Sequence, residues 1–300
     1  MGNVEISIIV AVYNRENTVL RALQSIESQT FKDFEVIIID DGSTDNSSRI
    51  CQNFCAKKLN WKFFKLKHIG IANVRKYAIQ NAVGDYIAFL DSDDFFEKNF
   101  LEVSINNIKD SDVLICNYKL FYGRFRINNF LFHKSGIFNK LHILKKIVSD
   151  LSIKSFLWNK LFKRKLFNNI FIPNIECYED KIMCIQLFSK IKKCSIIKNK
   201  LYNYYKNPKS ITWKTTEKMA DDSIKVSEFI RNFFQPNDYL NIKKSHIIFC
   251  ISIFFMLIEI SFVKLIKEKS FSKAFNYLLT QSSRLKKSTE QTKKTYNDIF

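Results

Sequence analysis

Asp91, Ser92, Asp93 and Asp94 follow directly on the apolar run Tyr86–Leu90. A run this short reads as a buried strand, and it delivers three carboxylates to the strand's carboxyl end, the side on which open α/β sheets bind ligands. Crowded carboxylates repel one another unless a cation, hydrogen bonds or water offset the charge. A divalent metal gripping a diphosphate is the chemistry that suits them. A plainer role is also open, because Asp93 or Asp94 could cap a helix starting near Phe95. Farther on, Glu179 and Asp180 precede apolar residues at helical spacing (Ile182, Met183, Ile185, Leu187 and Phe188). Two acids in a first helical turn favour the helix dipole whether or not they do chemistry.

The elements that must position these residues alternate in kind. Glu5 to Val12 is β-branched and apolar, and Glu16 to Ser28 follows with Val19, Leu20, Leu23 and Ile26 at helical spacing. The pattern repeats as a strand over Phe34 to Ile39, a helix from Thr44 to Ala56, a strand over Lys62 to Lys67, a helix from Ile71 to Ala82 and a strand over Asp85 to Leu90. Such alternation predicts right-handed βαβ units and a mainly parallel central sheet flanked by helices, an α/β fold. Three loops then share one sheet edge: Ala11 to Arg15, Asp40 to Asp45, and the Asp91 cluster. The first strand is followed by no Gly-x-Gly-x-x-Gly, and the chain has no Gly-Lys-Ser/Thr loop. Metal and side chains, rather than a glycine-rich backbone cradle, must hold any phosphates. Beyond Asp110, a strand is expected over Ser111 to Tyr122, a helix over Leu141 to Val148, and helices through residues 213–300.

Of the 300 residues 46% are hydrophobic and 15% aromatic, enough for a packed core. The net charge of +19 lies almost wholly beyond residue 110, where 35 Lys and Arg face 14 Asp and Glu. Such a balance suits an anionic membrane face, a phosphorylated substrate or nucleic acid. Against nucleic acid, the chain carries no recognition-helix, zinc-finger or RNA-binding signature. The seven cysteines lie in apolar runs with no Cys-x-x-Cys pair, and His68, His133, His142 and His246 have no ligand spacing, so reduced core thiols of a cytoplasmic protein are expected. The start, Met1 to Glu5, lacks the pattern of a signal peptide. Ile247 to Val263 is nearly continuous hydrophobe, interrupted by Ser252, Glu259 and Ser261, and is followed by a trail of lysines. A buried or membrane-surface helix is expected there rather than a span.

Taken together, Ile6 to Asn14, Ser28-Gln29-Thr30-Phe31, Val36 to Asp45, and Gly84 to Asp94 closely resemble the family 2 glycosyltransferases. The resemblance implies the GT-A nucleotide-diphospho-sugar transferase fold, with a catalytic region over 1–212 (a donor half, 1–110, and an acceptor half, 111–212) and a helical extension over 213–300. It implies a UDP-sugar donor, a Mn2+ or Mg2+ cofactor, and a glycan or lipid-linked glycan acceptor of bacterial surface polysaccharide or lipooligosaccharide. By the same resemblance Tyr13 stacks on the base, Asp41 accepts a hydrogen bond from it, and Arg15 and Arg75 face the nucleotide. Ala11 and Ser92 line the donor, Asp91 holds the ribose side, and Asp93 ligates the metal with Asp94 close by. Asp180 is then the general base and Glu179 its orienting partner. Trp158, Asn159 and Lys160, with Ser210-Ile211-Thr212, resemble acceptor-side segments.

Two departures stand out. Lys76 occupies a position where many relatives have Asn, and no Gln-x-x-Arg-Trp follows the acid pair, which separates the chain from processive membrane synthases. One sugar per encounter is expected. A basic nucleic-acid- or membrane-surface-binding protein without catalysis is the alternative reading.

Overall fold

In the computed structural model, which describes residues 4–56, 58–122, 125–127, 134–206, 215–268, 270–290 and 299, the first four strands pair in parallel. They are β1 (Ile6–Val12), β2 (Phe34–Asp40), β3 (Trp61–Lys65) and β4 (Tyr86–Asp91), in the order β3-β2-β1-β4. Every residue of β2 is buried, as it must be for a strand covered by helices on both faces. The crossovers are α1 (Val19–Glu27), α2 (Ser47–Cys55) and α3 (Ile71–Asn81). In α1, Val19, Ala22, Leu23 and Ile26 form one buried face, the stripe that its 3.6-residue period requires. Helix α3 follows Gly70, whose φ of 83° suits a residue without a Cβ.

After β4 come the two-residue strand β5 (Phe95–Phe96), α4 (Phe100–Ile108) and the long strand β6 (Val113–Tyr122), followed by β7 (Phe125–Ile127) and β8 (Gly136–Asn139). Helix α5 (Lys140–Ser149) precedes β9 (Lys160–Lys163), a 3-10 turn over Arg164–Phe167, α6 (Glu179–Lys190) and β10 (Lys193–Lys206). The sheet continues β4-β9-β6-β10-β5, with β9 antiparallel to both neighbours and β10 parallel to β6. The remaining helices are α7 (Glu217–Phe233), α8 (Pro236–Glu268) and α9 (Phe271–Ser288). The α/β architecture with C-terminal helices is therefore the one the sequence implies.

Two compact units divide the chain. The first comprises Met1–Lys140, Phe156–Ile172 and Leu187–Pro208 and contains the sheet. Its core joins Ile8, Val10, Val36 and Ile38 to Phe96, Phe100, Trp158 and Tyr202. The second comprises Leu141–Ser155, Pro173–Gln186 and Lys209–Phe300. All seven cysteines are free thiols, five of them buried.

Candidate active site

In the first unit, the loops after β1, β2 and β4 are tied into one surface by hydrogen bonds. The Asn14 amide donates to Ser43 Oγ at 3.0 Å, and Thr44 N donates to Asn14 Oδ1 at 2.9 Å. Arg15 N donates to Ser47 Oγ at 2.7 Å, and Glu16 N to Asp45 Oδ2 at 3.1 Å. Asn14 takes a left-handed φ of 50°, a conformation Asn tolerates better than most residues, and this turns the loop across the end of β2. Arg15 then lies 3.5 Å from the Asp93 carboxylate through Nε, so the third loop joins the first two.

Tyr13 is exposed and stacks on His68 with ring centroids 4.3 Å apart. Asp41 lies beneath this pair: its carboxylate accepts from the backbone of Ile69 at 2.7 Å and Gly70 at 3.1 Å, and lies 3.0 Å from His68 Nδ1. Asp41 thus sets the path of the β3–α3 connection and the position of the His68 ring. Gly42 has a φ of 75°, and a Cβ there would meet His68 N at 2.8 Å, so only glycine lets these two loops approach. His68 has no metal-binding spacing and gave no sequence signal of its role; its proximity to Tyr13 comes from the parallel pairing of the strands.

Of the acidic cluster, Asp91 and Asp93 face the loop surface. Asp91 pairs with Arg75 at 3.8 Å, and Arg75 is itself buried in α3. Ala11, at the end of β1, is partly exposed opposite Asp91 in the sheet register, and Ser92 is buried between the two acids. Asp94 turns the other way. It has no exposed surface, and its carboxyl accepts from Tyr202 Oη and from Tyr205 N, both at 2.7 Å. Burial first, then the nearby Asp91 and Asp93, push the Asp94 carboxyl well above the usual carboxylate range. Its bonds lock β10 to the acidic loop, since Tyr202 Oη also accepts from the Asp91 amide at 3.3 Å.

Arg21 on α1 also holds this loop. It donates to the Asp93 carbonyl, and its guanidinium lies 4.8 Å from the ring centroids of both Phe95 and Tyr205. The α1 pattern contains no hint of it, because an arginine on an amphipathic helix reads as solvated surface.

Among the described residues, no group of three or more His, Cys, Asp or Glu forms a ready metal cage. Mg2+-like ions are commonly held by one or two carboxylates plus substrate phosphates, and Asp93, one-fifth exposed at its side chain with Asp91 nearby, has the hard oxygen donors for that. The donor set fits such an ion. Asp94 serves the loop from within.

Trp158, Asn159 and Lys160, expected on the acceptor side, are all buried. Trp158 stacks on Tyr202 and Tyr204, Asn159 Nδ2 donates to Cys116 O at 3.0 Å, and Lys160 Nζ donates to Asn159 Oδ1 at 2.8 Å and to Phe156 O. The structure gives them a packing role around β9. Ser210-Ile211-Thr212 lies outside the described residues.

In the second unit, Glu179 and Asp180 occupy the first turn of α6 as their spacing predicts. Tyr178, immediately before them, has a φ of 67°. Lys181, with no exposed surface, donates to the carbonyls of Ile147 and Val148 at 3.2 Å each, where α5 ends, and lies 4.0 Å from the Phe249 ring centroid. A cation at a helix C-terminus is favourable, and here it anchors the start of α6 to α5 and α8. Burial pushes the Lys181 ammonium down despite Asp150 and Asp180. Glu179 is buried, and Asp180 is partly exposed at the helix N-terminus.

Known proteins share this sequence pattern and fold. The model of the family "Glycosyl transferase family 2" matches residues 7–173. The chain is 28% identical to the putative glycosyltransferase EpsH of Bacillus subtilis, over 78% of its own length and 70% of that protein's. It is 29% identical to the glycosyltransferase GlyA of Streptococcus pneumoniae over 71% of its length, but spans only 32% of GlyA. Among solved structures, Staphylococcus aureus TarS 1-349 in complex with UDP-GlcNAc superposes with a TM-score of 0.68 at 19% identity, covering 95% of this chain and 91% of that one. The mannosyltransferase PcManGT of Pyrobaculum calidifontis, in complex with GDP-Man and Mn2+, does so with a TM-score of 0.63 at 14% identity, covering 95% and 88%.

Proposed function

This chain belongs to glycosyl transferase family 2, and from that premise we propose that it moves one sugar, with inversion, from a UDP-sugar to a hydroxyl of a glycan or lipid-linked glycan in bacterial surface-polysaccharide or lipooligosaccharide synthesis. The observation that carries the reading is the meeting of the loops after β1, β2 and β4, with Tyr13, Arg15, Arg75, Asp91 and Asp93 on one edge of a parallel sheet. The TarS complexes with UDP and UDP-GlcNAc support a uridine donor. PcManGT with Mn2+ supports a divalent ion.

In this reading Tyr13, backed by His68, stacks on the base, while Arg15 and Arg75 face the phosphates. Asp93 holds Mn2+ or Mg2+ with Asp91 at the ribose side. A bound cation supplies Lewis-acid stabilisation of the charge that develops on the departing nucleoside diphosphate. Asp180 takes the proton from the attacking hydroxyl and Glu179 orients it; a carboxylate within hydrogen-bond reach is sufficient for that transfer. The proposed location is cytoplasmic, at the inner face of the membrane.

Thermal unfolding with a panel of nucleotide sugars tests the donor site, because a ligand stabilises the state it binds. Protection by one UDP-sugar with Mn2+, lost on adding chelator, is the expected result. Protection that chelator leaves unchanged would refute the metal assignment.

A further inference from the structure

Helix α8 is apolar on two opposite faces. One stripe, Ile242, His246, Phe249, Ile253, Leu257 and Ile260, is buried within the second unit. The other, Ile247, Ile251, Phe255, Ile258, Phe262 and Ile266, follows the same three- and four-residue spacing and is between 39 and 65% exposed. Helix α9, packed beside α8, adds Phe271, Phe275 and Leu279 at intervals of one turn, 47 to 69% exposed. Contiguous exposed hydrophobe on this scale marks an interaction surface rather than ordinary soluble surface.

The charges around the surface point to its occupant. Lys244 continues the outward row of α8 at its amino end and Lys286 continues the row on α9, both exposed. Residues 236–288 carry nine basic and three acidic residues in a chain of net charge +19. A second copy would bring like charges together over this face, whereas an anionic bilayer would neutralise them. Glu259, the acid beside the row, accepts a hydrogen bond from Thr215 Oγ1 at 3.0 Å.

We propose that the outward faces of α8 and α9 lie in the plane of an anionic lipid bilayer, with the isoleucine and phenylalanine side chains among the acyl chains and the lysines at the headgroups. The 33 residues of α8 extend about 50 Å. Helix α8 has an 18-residue window apolar enough to cross a membrane. A span would strip away its buried stripe, including His246 with its bonds to Ser227 and Tyr239, so the helix lies flat. The proposal deepens the membrane-face location given above and needs neither donor nor metal, so it stands or falls separately from the catalytic assignment.

The test is sedimentation of the full chain with vesicles of phosphatidylcholine alone and of phosphatidylcholine with phosphatidylglycerol. Binding to the anionic vesicles only, weakened by salt, is expected. Ile251→Asn, Phe255→Asn and Phe262→Asn combined should weaken it by about tenfold or more while leaving Tm unchanged, since each lost side chain alone carries that order of partition energy. Equal binding by the triple variant would overturn the proposal. So would a dimer that the triple variant dissociates while vesicles capture neither form. Chain that alkaline carbonate cannot strip from the vesicles would show a span instead.

Discussion

Lowering the pH should unfasten the second unit at His246. The imidazole is buried, with Nε2 2.9 Å from Ser227 Oγ and Nδ1 2.8 Å from Tyr239 Oη. Burial, then Lys181 and Arg231, push its pKa down to about 4 from an ordinary 6.5. Between those two values the unfolded chain binds a proton that the folded chain refuses, so stability falls as pH falls. From pH 7 to pH 5 the loss is about 2 kcal/mol, and it approaches about 3 kcal/mol once pH passes below the folded value. Other groups titrate over the same range, so the informative comparison is with His246→Gln, which keeps a donor and an acceptor without ionising. Thermal melts from pH 7 to 5 should show wild type losing about 5 °C more than the variant. Parallel curves would refute the argument, as would an imidazole proton resonance titrating near 6.5 in the folded protein.

Four further outcomes are expected. Asp93→Asn should abolish Mn2+-dependent protection by the donor and reduce transfer by about a hundredfold or more, with Tm unchanged, because the side chain carries the proposed metal contact and little packing. Asp94→Asn should instead keep measurable transfer and cost about 1 kcal/mol of stability, since its bonds are to Tyr202 and Tyr205 within the fold, as urea unfolding would show. Asp180→Asn should leave donor protection intact and lower kcat by about 10²–10⁴, read from single-turnover transfer. Gly84→Ala should destabilise by about 3 kcal/mol in chemical denaturation, because its Cβ would sit 2.6 Å from Ser7 N, a backbone atom that cannot swing aside.

The β1 to β4 region was legible because its signals are local. The buried runs of β1 and β2 and the apolar stripe of α1 each announce their element within a few residues, and the observed limits fall close to the expected ones. Strand β10 was not legible. Its Lys198 and the adjacent Asn199 are both exposed, and its register on β6 shifts between Ile196 and Tyr202, so the period-two alternation breaks in mid-strand. Likewise Trp158 to Phe162 reads as an aromatic, basic segment of the acceptor side. Its residues are buried because β9 inserts between β4 and β6, which no nearby sequence records.

Sequence by itself determined the alternating βαβ order, the placing of Asp91 to Asp94 at a strand's carboxyl end, and the first turn of α6 at Glu179 and Asp180. Those follow from side-chain periodicity and from the geometry of parallel crossovers, both properties of short stretches of chain. Only the tertiary structure decided that Asp93 faces Arg15 while Asp94 faces Tyr202, that His68 lies against Tyr13, and that α8 keeps a second apolar face exposed. Adjacent residues carry the same chemistry in the sequence. Which of them meets solvent and which meets a buried hydroxyl depends on strands and helices brought together from distant parts of the chain.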